Sequence, residues 1–272
     1  MVLKELQFRA ILIKTSPTDP LPGVIYASNR QAMIKIPSIT GIIDRRILVN
    51  FTIDADIAKN IVPAPFSPKI FAGKAIAGIC LIRLKYVRPK GLPSFIGIGS
   101  ENGAHRIAVE WAEDGQVKEG VYIPRRDSSS LFNTLTGGRV FPGKHHKAKF
   151  DVREENGGYH VAFVSSDGTS ITVDARVADT FNKDSIFKDL DTASDFFKQG
   201  AAGYSPNGSN YDGLLLNTKR WEVKPLEVNN VKSSFFEDKS VFPEGSVKFD
   251  NALLMTNIDH EWSSLHDKSC CV

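Results

Sequence analysis

The segment from Ser100 to His146 contains most of the side chains in this sequence that could carry out chemistry. It combines glutamate, three histidines, several arginines and a double glycine, among runs that are otherwise typical of β-strands. Carboxylates and imidazoles are common proton-transfer groups in enzymes, and arginine holds carboxylate ligands through paired hydrogen bonds. The segment therefore predicts a pocket for a small acidic molecule.

Strand alternation predicts which of these side chains face the interior, because successive residues of a strand point to opposite faces. Around His105, the apolar residues Ile107 and Val109 share its parity, as does Glu101. The same test, applied to the other strands, gives five ionisable residues on the inner face: Arg45, Glu101, His105, Arg125 and His146. It puts Arg106, Arg126 and His145 on the outer face.

Each of the five inward residues also has a purely structural interpretation. A single inward histidine can be a hydrogen-bonded core residue, and an inward arginine and glutamate can form an ion pair. Five such residues from different strands favour a polar cavity, because burying many ionisable groups is costly unless they converge on one. His145 and His146 are adjacent and point apart, and no paired-ligand spacing is present, so no metal is expected.

The elements that position these residues are mostly strands. Ile42 to Ile53 alternates apolar and polar residues with a period of two, and Arg45 is the exception on its apolar face. Asp54 is expected to cap a short helix that ends before Pro63, and a second helix is expected from Asp184 to Gln199. Turn sequences such as EDG, ENGG and SDG separate further short strands, which predicts an antiparallel sheet or barrel with few helices, a mainly β (α+β) fold.

Composition excludes several classes of protein. Lys and Arg number 34 against 31 Asp and Glu, so the net charge of +3 is too balanced for a nucleic-acid-binding protein. No apolar run is long enough to span a bilayer, and the first residues differ from a signal peptide, so no membrane partner and a cytoplasmic location are expected. Three cysteines cannot form a disulfide framework, and Cys80 is predicted to be a buried free thiol, with Cys270 and Cys271 as exposed thiols near the end.

The sequence shows no linker that would divide it into two large domains. Residues 1–38 are expected to form an N-terminal strand and loop packed on the barrel, residues 39–262 the barrel domain, and residues 263–272 a polar, disordered tail. Strand edges of such a barrel can pair between subunits, so a homo-oligomer is one possible assembly.

Several segments of the chain resemble a known superfamily. They are DRRILVNFTIDADIAKNIVPAPF, GICLIRLKYVRPKGLP, SENGAHRIAVEW, EGVYIPRRD and SSFFEDKSVFPEGSVKFDNALLM, between about Ile39 and Trp262. The chain resembles acetoacetate decarboxylase, and resembles more closely an uncharacterised bacterial domain-of-unknown-function group within the same superfamily. The resemblance implies a large conical, mostly antiparallel β-barrel with a few peripheral helices and an active site inside the cone.

The resemblance also assigns residues. The family's active-site arginine would correspond to Arg45, and its active-site glutamate to Glu101 in SENG. Its nucleophilic lysine and the lysine before it would fall on Gly137 and Gly138. Schiff-base decarboxylation needs a neutral primary amine, which glycine cannot supply.

Two functions from different classes remain open. In the first, Arg45 and Arg125 hold the carboxylate of a small oxo-acid, and Glu101, His105 and His146 transfer protons in lyase, hydratase or isomerase chemistry. In the second, the barrel binds a small acidic ligand without catalysis, and Gly137 and Gly138 widen the cavity and let the backbone approach the ligand. Neither function requires a cofactor. A third possibility is that the two glycines form a tight turn and the inward charges satisfy one another.

A first prediction follows from the missing lysines. Borohydride treatment in the presence of acetoacetate should leave no covalent adduct, because the nearest amine in the sequence, Lys144, lies beyond Pro142. Mass spectrometry of the treated protein checks this. An adduct on Lys144 would show that the chain has retained Schiff-base chemistry.

Overall fold

The computed structural model describes residues 38–130, 143–265 and 268–269, and these residues form mainly β-strands. The strands are β1 (Ile39–Asp54), β2 (Ser67–Pro68), β3 (Ile70–Phe71), β4 (Lys74–Pro89), β5 (Ile98–Glu113), β6 (Gln116–Ser128), β7 (His145–Glu155), β8 (Gly158–Ser165), β9 (Ser170–Val177), β10 (Ala202–Asn207), β11 (Asn210–Thr218), β12 (Lys224–Ser233), β13 (Val247–Ser264) and β14 (Lys268–Ser269). The helices in these ranges are α1 (Ala55–Ile61) and α2 (Leu190–Lys198), with a 3₁₀ turn at Ser94–Ile96. The predicted mainly β fold with few helices is confirmed.

The strand pairings close into two rings that share strands. The first ring runs through β1, β4, β5, β6, β7, β8, β9, β12 and β13 and returns to β1. The second leaves β6 for β10 and β11 and returns through β13. Different parts of β13 belong to the two rings, because residues 252–254 pair with β12 and residues 260–264 pair with β11. Neighbouring strands are antiparallel, except that β6 pairs in parallel with both β7 and β10.

The first ring is filled by its own side chains. The largest buried hydrophobic cluster includes Ile47, Val49, Ile79, Leu81, Ile107, Val161, Phe163, Val173 and Leu254. Of these residues, Ile47, Val49 and Ile107 occupy alternate positions that the sequence predicted to face inward, and β-branched and aromatic side chains fit such a pleated surface well. Each fully buried side chain of this kind contributes about 1.5–3 kcal/mol of hydrophobic stabilisation.

The opposite face of β1, β4 and β5 is also covered. Leu48, Ile76 and Cys80 pack there against Phe187 and the aromatic face of α2. These strands are therefore buried on both faces, which alternation alone could not predict. The prediction that Arg106 lies on the outer face is wrong, since only 4% of this residue is exposed.

The helices differ from the sequence prediction at their starts. Asp54 occupies the N-cap position of α1 as predicted, but its carboxylate accepts a hydrogen bond from Lys74 Nζ (2.5 Å) instead of capping the helix. Helix α2 begins at Leu190 instead of Asp184, because the side chain of Asp189 caps it by accepting a hydrogen bond from the backbone N–H of Thr192 (2.8 Å). The preceding residues form a loop in which Asp250 accepts hydrogen bonds from Ile186 N and Ser185 Oγ.

The two ends of the chain only partly fall within the described residues. Residues 1–37 of the predicted N-terminal segment lie outside them. At the other end, β13 continues to Ser264 and β14 pairs with Asn210–Tyr211 of β11. Residues 263–264 and 268–269 are therefore in the sheet, which differs from the disordered tail expected from the polarity of residues 263–272.

No helix in the described ranges is long and apolar enough to cross a membrane.

Two histidines are buried within this framework. His105 is fully buried, with its ring centroid 4.3 Å from that of Phe235, and His260 packs 4.0 Å from Trp262. Burial disfavours the charged imidazolium, and this lowers the pKa of His105 to about 3, with the Arg125 charge adding to the effect. Burial likewise lowers the pKa of His260 to about 4.

A pH dependence of stability follows from these two imidazoles. The unfolded chain takes up protons on them as the pH falls through about 6.5, whereas the folded protein stays neutral there, so the free energy of unfolding should decrease on acidification. Each imidazole contributes up to about 1.4 kcal/mol per pH unit between pH 6.5 and its folded pKa. Urea unfolding at pH 7 and pH 5 measures this, and His105→Gln should weaken the dependence. Equal stability of the wild type at the two pH values would contradict the assignment of neutral buried histidines.

Candidate functional site

A cavity of about 100 Å³ lies among the strands of the second ring and the end of α2. A single water needs about 10–15 Å³ measured in this way, so the cavity has room for a small organic molecule. Its apolar walls include Leu48, Ile82, Val121, Leu216 and Trp262. Three arginines, Arg46, Arg106 and Arg126, also line it.

Arg46 extends from β1 into this cavity and has few polar contacts. Arg46 is 8% exposed, and its Nε atom is buried without a hydrogen-bond partner among the described residues. Within the same residues, the Nη atoms hydrogen-bond only to sulfur, with Met255 Sδ at 4.0 Å and Cys80 Sγ at 3.7 Å. The Trp221 ring centroid lies 5.9 Å from the guanidinium carbon.

Arg106 on β5 is held more firmly. Its Nε donates to Cys80 Sγ at 3.2 Å, and its Nη2 donates to Asn50 Oδ1. Asn50 is itself held by a 2.8 Å hydrogen bond from its Nδ2 to Asn251 Oδ1. The guanidinium stacks 5.1 Å from the centroid of Phe197, so neutral groups and an aromatic ring orient this charge.

Arg126 at the end of β6 completes the set, with its Nε donating to Ser205 Oγ at 3.3 Å. Burial lowers its pKa to about 10, which still leaves it charged at neutral pH. Across the described residues, no carboxylate oxygen lies within 4.0 Å of a side-chain nitrogen of Arg46, Arg106 or Arg126. Two buried arginines and a third that is partly buried, without an anionic partner among the described residues, are costly, so the cavity is a candidate site for an anion.

A lysine and a glutamate also line this cavity, and they neutralise each other. Lys69 Nζ lies 2.5 Å from Glu119 Oε2 and also donates to Gln199 Oε1 at 2.8 Å. The same ammonium lies 4.5 Å from the Phe196 ring centroid. Because this amine is ion-paired, it does not add an unpaired charge to the three arginines.

The residues predicted from the sequence form ion networks elsewhere. Arg45 is 1% exposed and donates to Glu101 Oε2 and Glu154 Oε1, both at 2.5 Å. Arg83 donates from Nε to the second oxygen of Glu101 at 2.5 Å and from Nη1 to Glu154 Oε2 at 3.1 Å. The two arginines and two glutamates thus balance one another.

A second network contains the other predicted residues. Arg125 donates to Asp127 (Nη2 to Oδ1, 2.6 Å) and to Asp167 (Nη1 to Oδ2, 2.6 Å). Burial alone would lower the pKa of Arg125, but its hydrogen bonds to these carboxylates and their negative charges outweigh burial and raise the pKa. His146 Nδ1 lies 3.4 Å from Asp167 Oδ2, and His105 Nδ1 lies 3.7 Å from Asp127 Oδ2.

The structure therefore places Arg45 beside Glu101, and it places His146 and Arg125 beside the same carboxylate, that of Asp167. None of the five predicted residues lines the cavity. Gly137 and Gly138 lie outside the described residues. Arg126, predicted to face outward, lines the cavity, and His145 lines a smaller space of about 50 Å³ that shares Cys80 and Arg126 with it. The outward predictions for these two residues were wrong because the second ring encloses that face of the sheet.

A signal for the arginine cluster was present in the sequence. Arg46, Arg106 and Arg126 each directly follow a predicted inward residue, so each shares a strand with one but points the opposite way. Sequence reasoning missed them because it assumed that this second face was solvated. Three arginines at equivalent positions of three strands could have suggested a second covered face.

Within the described residues, no group of three or more His, Cys, Asp or Glu side chains is placed to hold a metal ion.

Solved structures with the same fold are acetoacetate decarboxylase and related proteins. The enduracididine biosynthesis enzyme MppR, in complex with pyruvate, is 9% identical, with coverage of 90% of this chain and 95% of that chain and a TM-score of 0.53. Acetoacetate decarboxylase from Legionella pneumophila is 12% identical, with coverage of 93% and 99% and a TM-score of 0.54. An acetoacetate decarboxylase-like enzyme from Sphingomonas wittichii is 10% identical, with coverage of 87% and 95% and a TM-score of 0.52. These similarities establish the acetoacetate decarboxylase-like fold.

A comparison with curated protein sequences found no match. The family DUF2071, described as an uncharacterized conserved protein, matches residues 43–253. This match spans most of the chain and includes most of β1 and all of β5 and β6, which carry the three cavity arginines. The protein therefore belongs to the DUF2071 family and has an acetoacetate decarboxylase-like fold.

Proposed function

We propose that this protein binds a small oxo-acid in the cavity lined by Arg46, Arg106 and Arg126. The observation that carries the proposal is the group of three guanidinium groups in this cavity, those of the buried Arg46 and Arg106 and of the partly buried Arg126, that no carboxylate of the described residues neutralises. A ligand carboxylate would supply the missing anion and accept hydrogen bonds from the unpartnered Nε of Arg46.

The size and polarity of the cavity support a small ligand of this kind. A volume of about 100 Å³ suits a molecule of a few carbon atoms. Its walls are otherwise apolar, including Leu48, Ile82 and Val121, so they suit a short alkyl or oxo end better than a second charged group. The similar structure of MppR contains pyruvate, which has this combination of a carboxylate and a neighbouring carbonyl.

Binding is better supported than conversion by acid–base chemistry. The catalytic roles of Glu101, His105 and His146 remain predictions, and the contacts of these side chains are with Arg45, Arg83, Asp127 and Asp167. Among the described lining residues, Glu119 is the carboxylate, and Lys69 neutralises it. Arg45 and Arg125 were predicted to bind the substrate. A substrate carboxylate would have to compete there with the carboxylates that these arginines already bind.

Replacement of Arg46 tests the site. Arg46→Met removes a buried charge that contacts only sulfur atoms and an aromatic ring, and methionine keeps much of the volume. We expect a 10- to 100-fold weaker affinity for pyruvate or 2-oxobutyrate, because a hydrogen bond to a charged group contributes about 1.5–3 kcal/mol. The melting temperature without ligand should not fall. Isothermal titration calorimetry measures the affinity, and thermal unfolding measures the stability.

The adjacent residue provides the matched control. Arg45→Met makes the same chemical change on the other face of the strand, where it breaks the pairs with Glu101 and Glu154. Breaking a buried ion pair costs about 3–5 kcal/mol, so this variant should melt at a lower temperature but keep its affinity for the oxo-acid. Loss of affinity in Arg45→Met, with normal binding by Arg46→Met, would refute the proposed site.

Replacement of Glu101 separates binding from catalysis. Glu101→Gln should leave oxo-acid affinity unchanged, because Glu101 contacts arginines outside the cavity. It should lower stability, since Arg45 and Arg83 lose part of their counter-charge. Calorimetry measures the affinity for the oxo-acid, and NMR measures the exchange of solvent protons into the bound oxo-acid. Exchange that is present in the wild type and lost in Glu101→Gln would favour the acid–base enzyme instead.

A further inference from the structure

Cys80 occupies the centre of the arginine-lined wall. Its cross-strand partners are Leu48 on β1 and Ala104 on β5. The positions diagonal to it on these two strands are Arg46 and Arg106, whose long side chains reach back toward the sulfur. The Sγ atom lies 3.2 Å from Arg106 Nε and 3.7 Å from Arg46 Nη2.

This environment differs from that of a structural buried cysteine. A cysteine in an apolar core is an inert small hydrophobic residue, whereas one beside arginines has thiolate character. Burial opposes ionisation of the Cys80 thiol, but the charges and hydrogen bonds of Arg106 and Arg46 together outweigh it and lower the pKa. Cys80 is 4% exposed and lines the cavity, so the sulfur is accessible to a molecule bound there.

A second observation points to an anion site next to this sulfur. Arg46 is 8% exposed and lines the same cavity, and its Nε has no hydrogen-bond partner in the part of the chain that the structure describes. The guanidinium group that would bind a ligand carboxylate is thus also the one whose Nη2 contacts Cys80. In a 2-oxo acid the electrophilic carbonyl carbon is bonded directly to the carboxylate carbon, so binding the carboxylate at Arg46 brings the carbonyl toward the sulfur.

We propose that Cys80 adds reversibly to the carbonyl carbon of a bound 2-oxo acid and holds it as a thiohemiketal. The inference rests on the proposed function, and it specifies the ligand as one with a ketone next to its carboxylate. In the step, the sulfur lone pair forms the S–C bond and the π pair of the carbonyl moves to oxygen. The thiol proton, exchanged through water, ends on that oxygen, so thiol and ketone combine without oxidation or reduction. The arginines stabilise the negative charge that develops on oxygen during the addition.

Alkylation of the wild-type protein tests the combination of a reactive sulfur and an anion site. Iodoacetate carries a carboxylate and iodoacetamide does not, so the arginines should direct iodoacetate to Cys80. We expect labelling of Cys80 to be at least about tenfold faster with iodoacetate, since a charged hydrogen bond of about 1.5–3 kcal/mol corresponds to that factor or more. Peptide mapping gives the rates, with Cys270 and Cys271 as internal references that should not prefer iodoacetate. Equal or slower labelling of Cys80 by iodoacetate would overturn the inference.

Carbon NMR with pyruvate labelled at its carbonyl carbon tests the adduct itself. We expect the wild type to convert bound pyruvate into a species with a tetrahedral carbon, and Cys80→Ser to bind pyruvate only as the ketone. Oxamate, which has an amide in place of the ketone, should bind to both proteins without an adduct and should slow labelling by iodoacetate.

The outcomes distinguish the two proposals. Pyruvate bound to the wild type only as the ketone, with oxamate binding retained, would overturn the role of Cys80 and leave the proposed function intact. A tetrahedral species that persists in Cys80→Ser would also overturn it. Failure of both pyruvate and oxamate to bind the wild type would refute the proposed function, and this inference with it.

Discussion

The position of Arg46, Arg106 and Arg126 on a sheet that is covered on both faces is the constraint on which the site depends. An arginine at the surface keeps its water, but Arg46 and Arg106 are buried, and all three line a partly open cavity beside α2 and β11. Neutral partners hold two of them, through the amide of Asn50 and the hydroxyl of Ser205. The described residues thus position the guanidinium groups without neutralising them, so an anion bound there would offset the cost of their burial.

The two faces of β1 and β5 show how the same residue types can have different roles. On the first face, Arg45 and Glu101 satisfy each other beside a packed apolar core, so they fix the arrangement of strands. On the second face, Arg46 and Arg106 have sulfur, amide and aromatic neighbours. The two faces therefore differ in whether a carboxylate lies beside each arginine: Arg45 has one, whereas Arg46 and Arg106 have none among the described residues.

Local sequence patterns predicted the strands and the first face of the sheet. The alternation through Ile47 and Val49, and the prolines after α1, are local signals with direct physical causes, and the structure agrees with them. The cavity could not be predicted in this way, because it depends on contacts far apart in sequence. Phe196 and Phe197 cover the wall formed by β4 and β5, and β11 closes the ring by pairing with the end of β13. Alternation distinguishes two faces of a strand, but only the tertiary structure decides which of them is open to solvent.

The central claim is that the three arginines form a carboxylate site, and a crystal structure with bound 2-oxobutyrate tests it most directly. The account predicts ligand carboxylate oxygens within hydrogen-bonding distance of Arg46 and at least one of Arg106 and Arg126, with the carbonyl carbon next to Cys80 Sγ. A ligand bound instead between Arg45, Glu101 and Arg125, with the arginine cavity filled only by water, would contradict it.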